Sequence, residues 1–240
     1  MSTSADEWYL SFDCATKSFA FSVLRLRPPP PDLPETIEKL SEAIRAKNWK
    51  VIDRLVREID TTTRECFFLA GGGAADLVPG KADKEIPTVE RIRAVKSYIE
   101  GPVAAVLEAA EGCPPPDSPH LNVAVEFQMG PNAPARTVAT VLLSHYSRAN
   151  IFLVGPAYKN KMWYPSRPDL RHCFYVERYS KLYDANKAHA RDLYFKHIAP
   201  IFGHNTGRIP VKYQKDFADT VIQILGFLAY GDIENAAEKF

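Results

Sequence analysis

The stretch Trp8-Tyr9-Leu10-Ser11-Phe12-Asp13-Cys14 decides the fold. Its apolar and aromatic residues have the composition of a core strand, and the run closes on a carboxylate. Ser18 to Arg25 reads as a second strand, and the short break at Ala15 to Lys17 predicts a hairpin between them. Proline at positions 28 to 31 cannot continue a sheet and marks a stiff connector. Ile37, Leu40, Ile44, Val51, Leu55 and Ile59 then recur at helical spacing, with a break near Asn48. Residues 64 to 70, with Phe67, Phe68 and Leu69, predict a third strand, and Gly71 to Gly80 a flexible loop.

Further along, Thr88 to Glu111 reads as a helix kinked at Gly101-Pro102. Leu121 to Phe127 reads as a buried strand and Ala135 to Arg148 as a helix. Ile151 to Val154 is a short strand, Ala185 to Ile201 a helix, and Tyr213 to Tyr230 the last helix. A hairpin and a third strand, followed by strands alternating with helices, predict an α/β fold with a mixed central sheet and flanking helices. Residues 1–240 read as a single domain with a helical insertion at 28–59.

Bulk properties narrow the function classes. Apolar residues are 46% and charged residues 25% of the chain, which is ordinary for a globular protein. A net charge of +1 means that any nucleic-acid contact must use local positive charge. Cys14, Cys66, Cys113 and Cys173 form no C-x-x-C pair, which argues against a zinc site and for reduced thiols in an intracellular compartment. The polar start and the lack of a long apolar run predict neither a signal peptide nor a membrane span.

Three elements carry carboxylates in positions that suit chemistry. Asp13 closes the first strand, at the strand end where α/β folds place their sites. Glu126 closes Leu-Asn-Val-Ala-Val-Glu in the same way. Asp216 and Asp219 are three residues apart and share one face of the last helix, while Phe217, Val221, Ile224, Leu225 and Leu228 dock it. Taken singly, each has an ordinary alternative: a turn or cap for Asp13, a structural ion pair for Glu126, a solvated face for the helical pair. Together, two strand-end carboxylates and a helical pair can converge on Mg²⁺ or Mn²⁺, and two such ions suit phosphodiester hydrolysis.

The hairpin opening with Phe12-Asp13-Cys14-Ala15-Thr16-Lys17, the strand ending in Glu126 and the helix with Asp216-x-x-Asp219-Thr220 together resemble the RuvC branch of the RNase H-like superfamily. Val125-Glu126-Phe127-Gln128 is similar to the E-x-Q pattern of the mitochondrial and poxvirus Holliday junction resolvases, and Lys215 fits the basic helix of the viral forms. The resemblance implies an RNase H-like nuclease domain. It also implies Asp13, Glu126, Asp216 and Asp219 as catalytic metal ligands, Mg²⁺ or Mn²⁺ as cofactor, branched DNA as substrate and a homodimer. Cys14-Ala15 replaces the glycine-containing turn common in that branch.

Between Pro156 and Lys215 twelve Lys and Arg face four acids, a local balance of +8, interleaved with Tyr158, Trp163, Tyr164, Tyr175, Tyr179 and Tyr183. Such a stretch suits phosphate contacts and base stacking, or equally a solvated surface over core aromatics. Lys159, Lys161, Lys187, Arg191, Lys212 and Lys215 are the candidate nucleic-acid contacts. Phe127, Gln128 and Met129 follow at the expected mouth of the site, and Phe127 with Met129 could wedge between bases. His172, His189, His197 and His204 read as solvent-facing or as helpers to phosphate contact. Two other functions remain open: an actin-like sugar or acid kinase using Gly71 to Gly73 as a phosphate loop, and a catalytically silent nucleic-acid-binding protein.

Overall fold

In the computed structural model, residues 6–15, 18–64, 66–126, 133–162, 168–207 and 209–230 are described below. Five strands form one mixed sheet in the order β3-β2-β1-β4-β5. β1 (Glu7–Asp13) and β2 (Ser18–Leu26) pair antiparallel from Glu7 opposite Leu26 to Asp13 opposite Ala20, as the hairpin expectation requires. β3 (Phe67–Asp76) extends the antiparallel side. β4 (Leu121–Glu126) runs parallel to β1, and β5 (Asn150–Val154) runs parallel to β4.

The strand period of two divides the side chains between two cores. Trp8, Leu10, Phe12, Phe21, Val23, Val123 and Val125 face a layer containing α3 (Thr88–Tyr98), α4 (Ala104–Ala109) and α5 (Ala133–His145). Tyr9, Leu24, Ala124 and Val154 face the other layer, where α10 (Gln214–Tyr230) buries Phe217, Val221, Ile222 and Ile224. That layer also holds α6 (Ala157–Lys161), α7 (His172–Arg178), α8 (Leu182–Leu193) and α9 (Ala199–Phe202). Alternation therefore puts Tyr9, Ser11 and Asp13 of β1, with Ala124 and Glu126 of β4, on the α10 side.

Prolines mark both irregular helices. A π-turn at Ile99–Val103 surrounds Pro102, and another at Tyr194–Ile198 precedes Pro200; in each, a missing N–H removes a regular helical bond. The segment between β2 and β3 forms a helical hairpin, α1 (Leu33–Arg45) and α2 (Trp49–Thr62), with its own small core of Ala43, Ile52, Leu55 and Val56. Asn48 caps α2 by accepting a hydrogen bond from the Val51 amide, which accounts for the break there.

The expected loop at Gly71 to Gly80 is corrected in its first part. Gly71–Gly73 lie inside β3 and pair with β2. Glycine is required there by packing: a Cβ on Gly72 would stand 2.5 Å from the Phe21 carbonyl oxygen and 2.6 Å from the Phe217 ring. No helix among the described residues is long and apolar enough to cross a membrane.

Candidate metal and nucleic-acid site

β1 and β4 are neighbours in the middle of the sheet, and Phe12 opposite Val125 brings the following pair, Asp13 and Glu126, together at the strand ends. α10 crosses that face. It brings Asp219, fully buried, and Asp216, at its more open first turn, to the same place. Gln223, one turn further along α10, donates toward Ser11 Oγ and the Phe12 carbonyl at 3.4 Å each, tying the helix to β1 behind the carboxylates. All four acids singled out in the sequence thus meet at one end of the sheet.

Two lysines complete the cluster. Lys187 of α8 is 6% exposed. Its ammonium group donates to Asp13 and lies 2.6 Å from Asp219 Oδ2 and 2.9 Å from Asp216 Oδ1. Lys159 of α6 is 5% exposed and stands 3.0 Å from Asp219 Oδ2 and 3.3 Å from Glu126 Oε1. α6 can come this close because α10 has Gly226 beneath it: a Cβ there would be 2.6 Å from the Tyr158 carbonyl oxygen. Asp13, Glu126, Asp219 and both lysines line a cavity of about 350 Å³ together with Tyr183 and Asn186.

The electrostatics follow from burial and mutual proximity. Burial opposes ionisation of Asp13, but the charges of Lys187 and Lys159 outweigh it and hold the carboxyl below its ordinary range. Burial and then the Asp13 charge push Glu126 up to about 8, so at neutral pH it keeps its proton and shares it with ionised Asp13 in a hydrogen bond. Burial would lower both lysines, yet their acidic neighbours, Asp13, Asp219 and Asp216 for Lys187 and above all Asp219 for Lys159, hold them charged. The Cys14 thiol is pushed well up by burial and by Asp13 and Glu126, which leaves it protonated and a poor nucleophile.

Among the described residues no set of three or more His, Cys, Asp and Glu side chains is spaced to hold a metal ion as it stands. The local reason is that ammonium groups lie between the carboxylates. The residues still fit a divalent cation. Asp219 Oδ1 is buried without a hydrogen-bond partner, four carboxyls outnumber two ammonium groups, and the donors are hard oxygens.

The other predicted contacts are spread out. Lys161 is exposed and lies over the Tyr158 ring. Arg191 pairs with Asp192 at 2.7 Å. Lys212 is mostly exposed, 4.2 Å from the Tyr213 ring centre, and Lys215 is half-buried beside Asp216 in sequence. Phe127, Gln128 and Met129 lie outside the described residues, as do Trp163 and Tyr164. The histidine reading is corrected: His189 is fully buried against Tyr175 and His172, His197 is buried, and His204 packs among Phe67, Tyr194 and Phe202. His189 and His197 sit in the core of the α8 layer, while His172 and His204 are half-buried at its edge.

Comparison with known proteins leaves the geometry to speak for itself: no protein-family model, no curated protein and no solved structure matches the chain.

Proposed function

We propose that this chain is a metal-dependent endonuclease of the RNase H-like, RuvC-type kind, cutting branched DNA such as a four-way junction. The observation that carries the reading is the convergence of Asp13, Glu126, Asp216 and Asp219 from β1, β4 and α10 around an unsatisfied buried carboxylate oxygen. These four carboxylates would hold Mg²⁺ or Mn²⁺, one ion or two, which when bound would supply water activation and charge neutralisation at the leaving oxygen. Lys159 and Lys187 keep the acidic cluster compact until it is loaded, and then offer N–H donors to phosphate oxygens at the same spot. Asn186 lines the cavity wall, and Gln223 fixes α10 against β1 so that the acids stay in register. A homodimer suits two symmetric cuts in one junction.

The kinase reading relied on Gly71–Gly73 as a phosphate loop, and those residues are paired strand. The silent-binder reading is separated by activity. With Mg²⁺ or Mn²⁺ the protein should cleave a four-way DNA junction to 5′-phosphate ends and should not hydrolyse ATP. Asp13→Asn should lose on the order of a thousandfold in cleavage rate, the several kcal/mol that metal-assisted charge stabilisation contributes, while still binding the junction. Metal-independent cleavage, ATP hydrolysis, or full activity in Asp13→Asn would overturn the proposal.

A further inference from the structure

The turn from α7 into α8 presents a surface that the fold itself does not use. Residues 176 to 183 are exposed without a gap, and among them Val176, Tyr179, Leu182 and Tyr183 are large and apolar. Tyr183 is 65% exposed. Leaving such a ring in water gains nothing for folding, since a buried aromatic side chain is one of the larger contributors to core stability. Its position gives the exposure a purpose. Tyr183 stands one turn before Lys187 on α8, lines the carboxylate cavity, and has the Lys187 ammonium 5.9 Å from its ring centre. Arg178 and Lys181, both exposed, flank it.

We infer that Tyr183 is a stacking platform for an unpaired nucleobase next to the phosphate bound at the carboxylates, with Arg178 and Lys181 on the adjoining backbone. The inference rests on the nuclease reading and adds the source of its selectivity. The carboxylate cluster is blind to base pairing, whereas a ring on its rim accepts only a base that has left the helical stack. An aromatic face takes any base, so the site reads unpairing and not sequence. The patch is aromatic and cationic, with one acid, Glu177, among residues 176 to 183, a balance that complements a polyanion with exposed bases.

The test uses the full chain, Ca²⁺ in place of Mg²⁺, and a junction with 2-aminopurine at the unpaired centre. The wild-type protein and Tyr183→Phe should quench the probe on binding, because both rings stack. Tyr183→Ala should lose the quenching and lose roughly tenfold more affinity for the junction than for a fully paired duplex, the order of a single base–aromatic stack. Thermal unfolding of each variant verifies folding, which an exposed side chain leaves intact. Unchanged quenching in Tyr183→Ala, or equal losses on junction and duplex, overturns the stacking site alone. Failure of Tyr183→Phe to restore the signal also overturns it. A shift of Tyr183→Ala to a smaller oligomer in sedimentation reassigns the patch to self-association. A wild-type chain that binds no DNA of any shape overturns this inference and the nuclease reading together.

Discussion

At the start of β1, Asp6 receives Arg25 and Arg27 at 3.6 Å each, and between 21% and 43% of each of these three side chains stays in water. At the other end of the same strand, Asp13 meets Lys187, with 2% and 7% of their side chains exposed. Both ends pair acids with bases, but burial sets different consequences. The wet pairs are screened and contribute little. The dry ones carry a desolvation cost that only complete neutralisation offsets, so removing one partner strands charge in a low-dielectric setting. A sheet end that holds so much buried charge is built for something other than stability, and it is the end where every candidate catalytic acid lies.

The largest break in this contrast should come from Lys187→Met. It leaves Asp13, Asp216 and Asp219 facing one another without their shared ammonium. In EDTA the variant should be less stable by about 3–5 kcal/mol, read from urea unfolding. Saturating Mn²⁺ should restore a large part, because a bound cation replaces the lost charge. A variant as stable as the parent in EDTA would mean that the cluster is not electrostatically strained.

Gly226→Ala tests how Lys159 reaches the cluster. The new methyl group would lie 2.6 Å from the Tyr158 carbonyl oxygen and 2.7 Å from its carbon, both backbone atoms of α6, so the helix must move. Overpacking costs about 1–3 kcal/mol, offset by roughly 1 kcal/mol of helix propensity gained. The net loss should therefore be smaller than for Lys187→Met. Mn²⁺ affinity should change as well, since the Lys159 contact to Asp219 shifts; an unchanged Tm and unchanged metal affinity would show that α6 is not held by that contact.

Much of this site was legible in the sequence, for local reasons. Strand alternation with a terminal acid located Asp13 and Glu126, and an i,i+3 spacing located Asp216 and Asp219. The parallel register of β1 and β4 then converted those positions into neighbours. The depth of a cation has no such local signature. Lys159 and Lys187 read as surface phosphate contacts, although the alanines at 185, 188 and 190 around Lys187 do mark a helix packed closely on its surroundings. Gly71–Gly73 misled for the converse reason. Glycine disfavours a strand locally, and only the approach of Phe21 and Phe217 in three dimensions makes it fit there. The buried histidines were likewise invisible, since their partners come from α7 and β3.

pH distinguishes the two ends next. Metal-free Glu126 has its pKa raised from 4.5 to about 8, so between those values the folded chain holds a proton that the unfolded chain has released. Stability from this group is complete below 4.5, falls as pH rises, and levels off above about 8, with a slope of at most about 1.4 kcal/mol per pH unit. His189, pushed down to about 4 by burial and then by His172, has the opposite slope between 4 and 6.5. The clean window is therefore pH 6.5 to 8, read as wild type minus Glu126→Gln in EDTA. That difference should decline with pH and flatten in Mn²⁺, when the cation takes the place of the proton. A flat difference in EDTA would mean that Glu126 is ionised throughout and that burial at this end is less severe than its geometry implies.

The smallest effect should be at the far end. Arg25 Nε is 3.6 Å from Asp6 Oδ2, and its guanidinium lies 4.9 Å from the Phe68 ring centre and 5.7 Å from that of Trp8. The ion pair is partly hydrated and salt-screened, so it contributes about 0–1 kcal/mol, while the aliphatic stem also packs. Arg25→Met keeps an apolar stem and should cost less than about 1 kcal/mol, independent of Mn²⁺. Arg25→Ala should cost more: both variants lose the cation–π contact, about 0.5–1 kcal/mol at such a site, but only Ala also removes the stem that packs there. Raising salt should shrink the small difference between wild type and Arg25→Met and leave the Arg25→Ala packing loss in place. If Arg25→Met instead matched Lys187→Met in size, burial would not be what separates the two ends of β1, and the carboxylate end would lose its claim to be the strained, functional one.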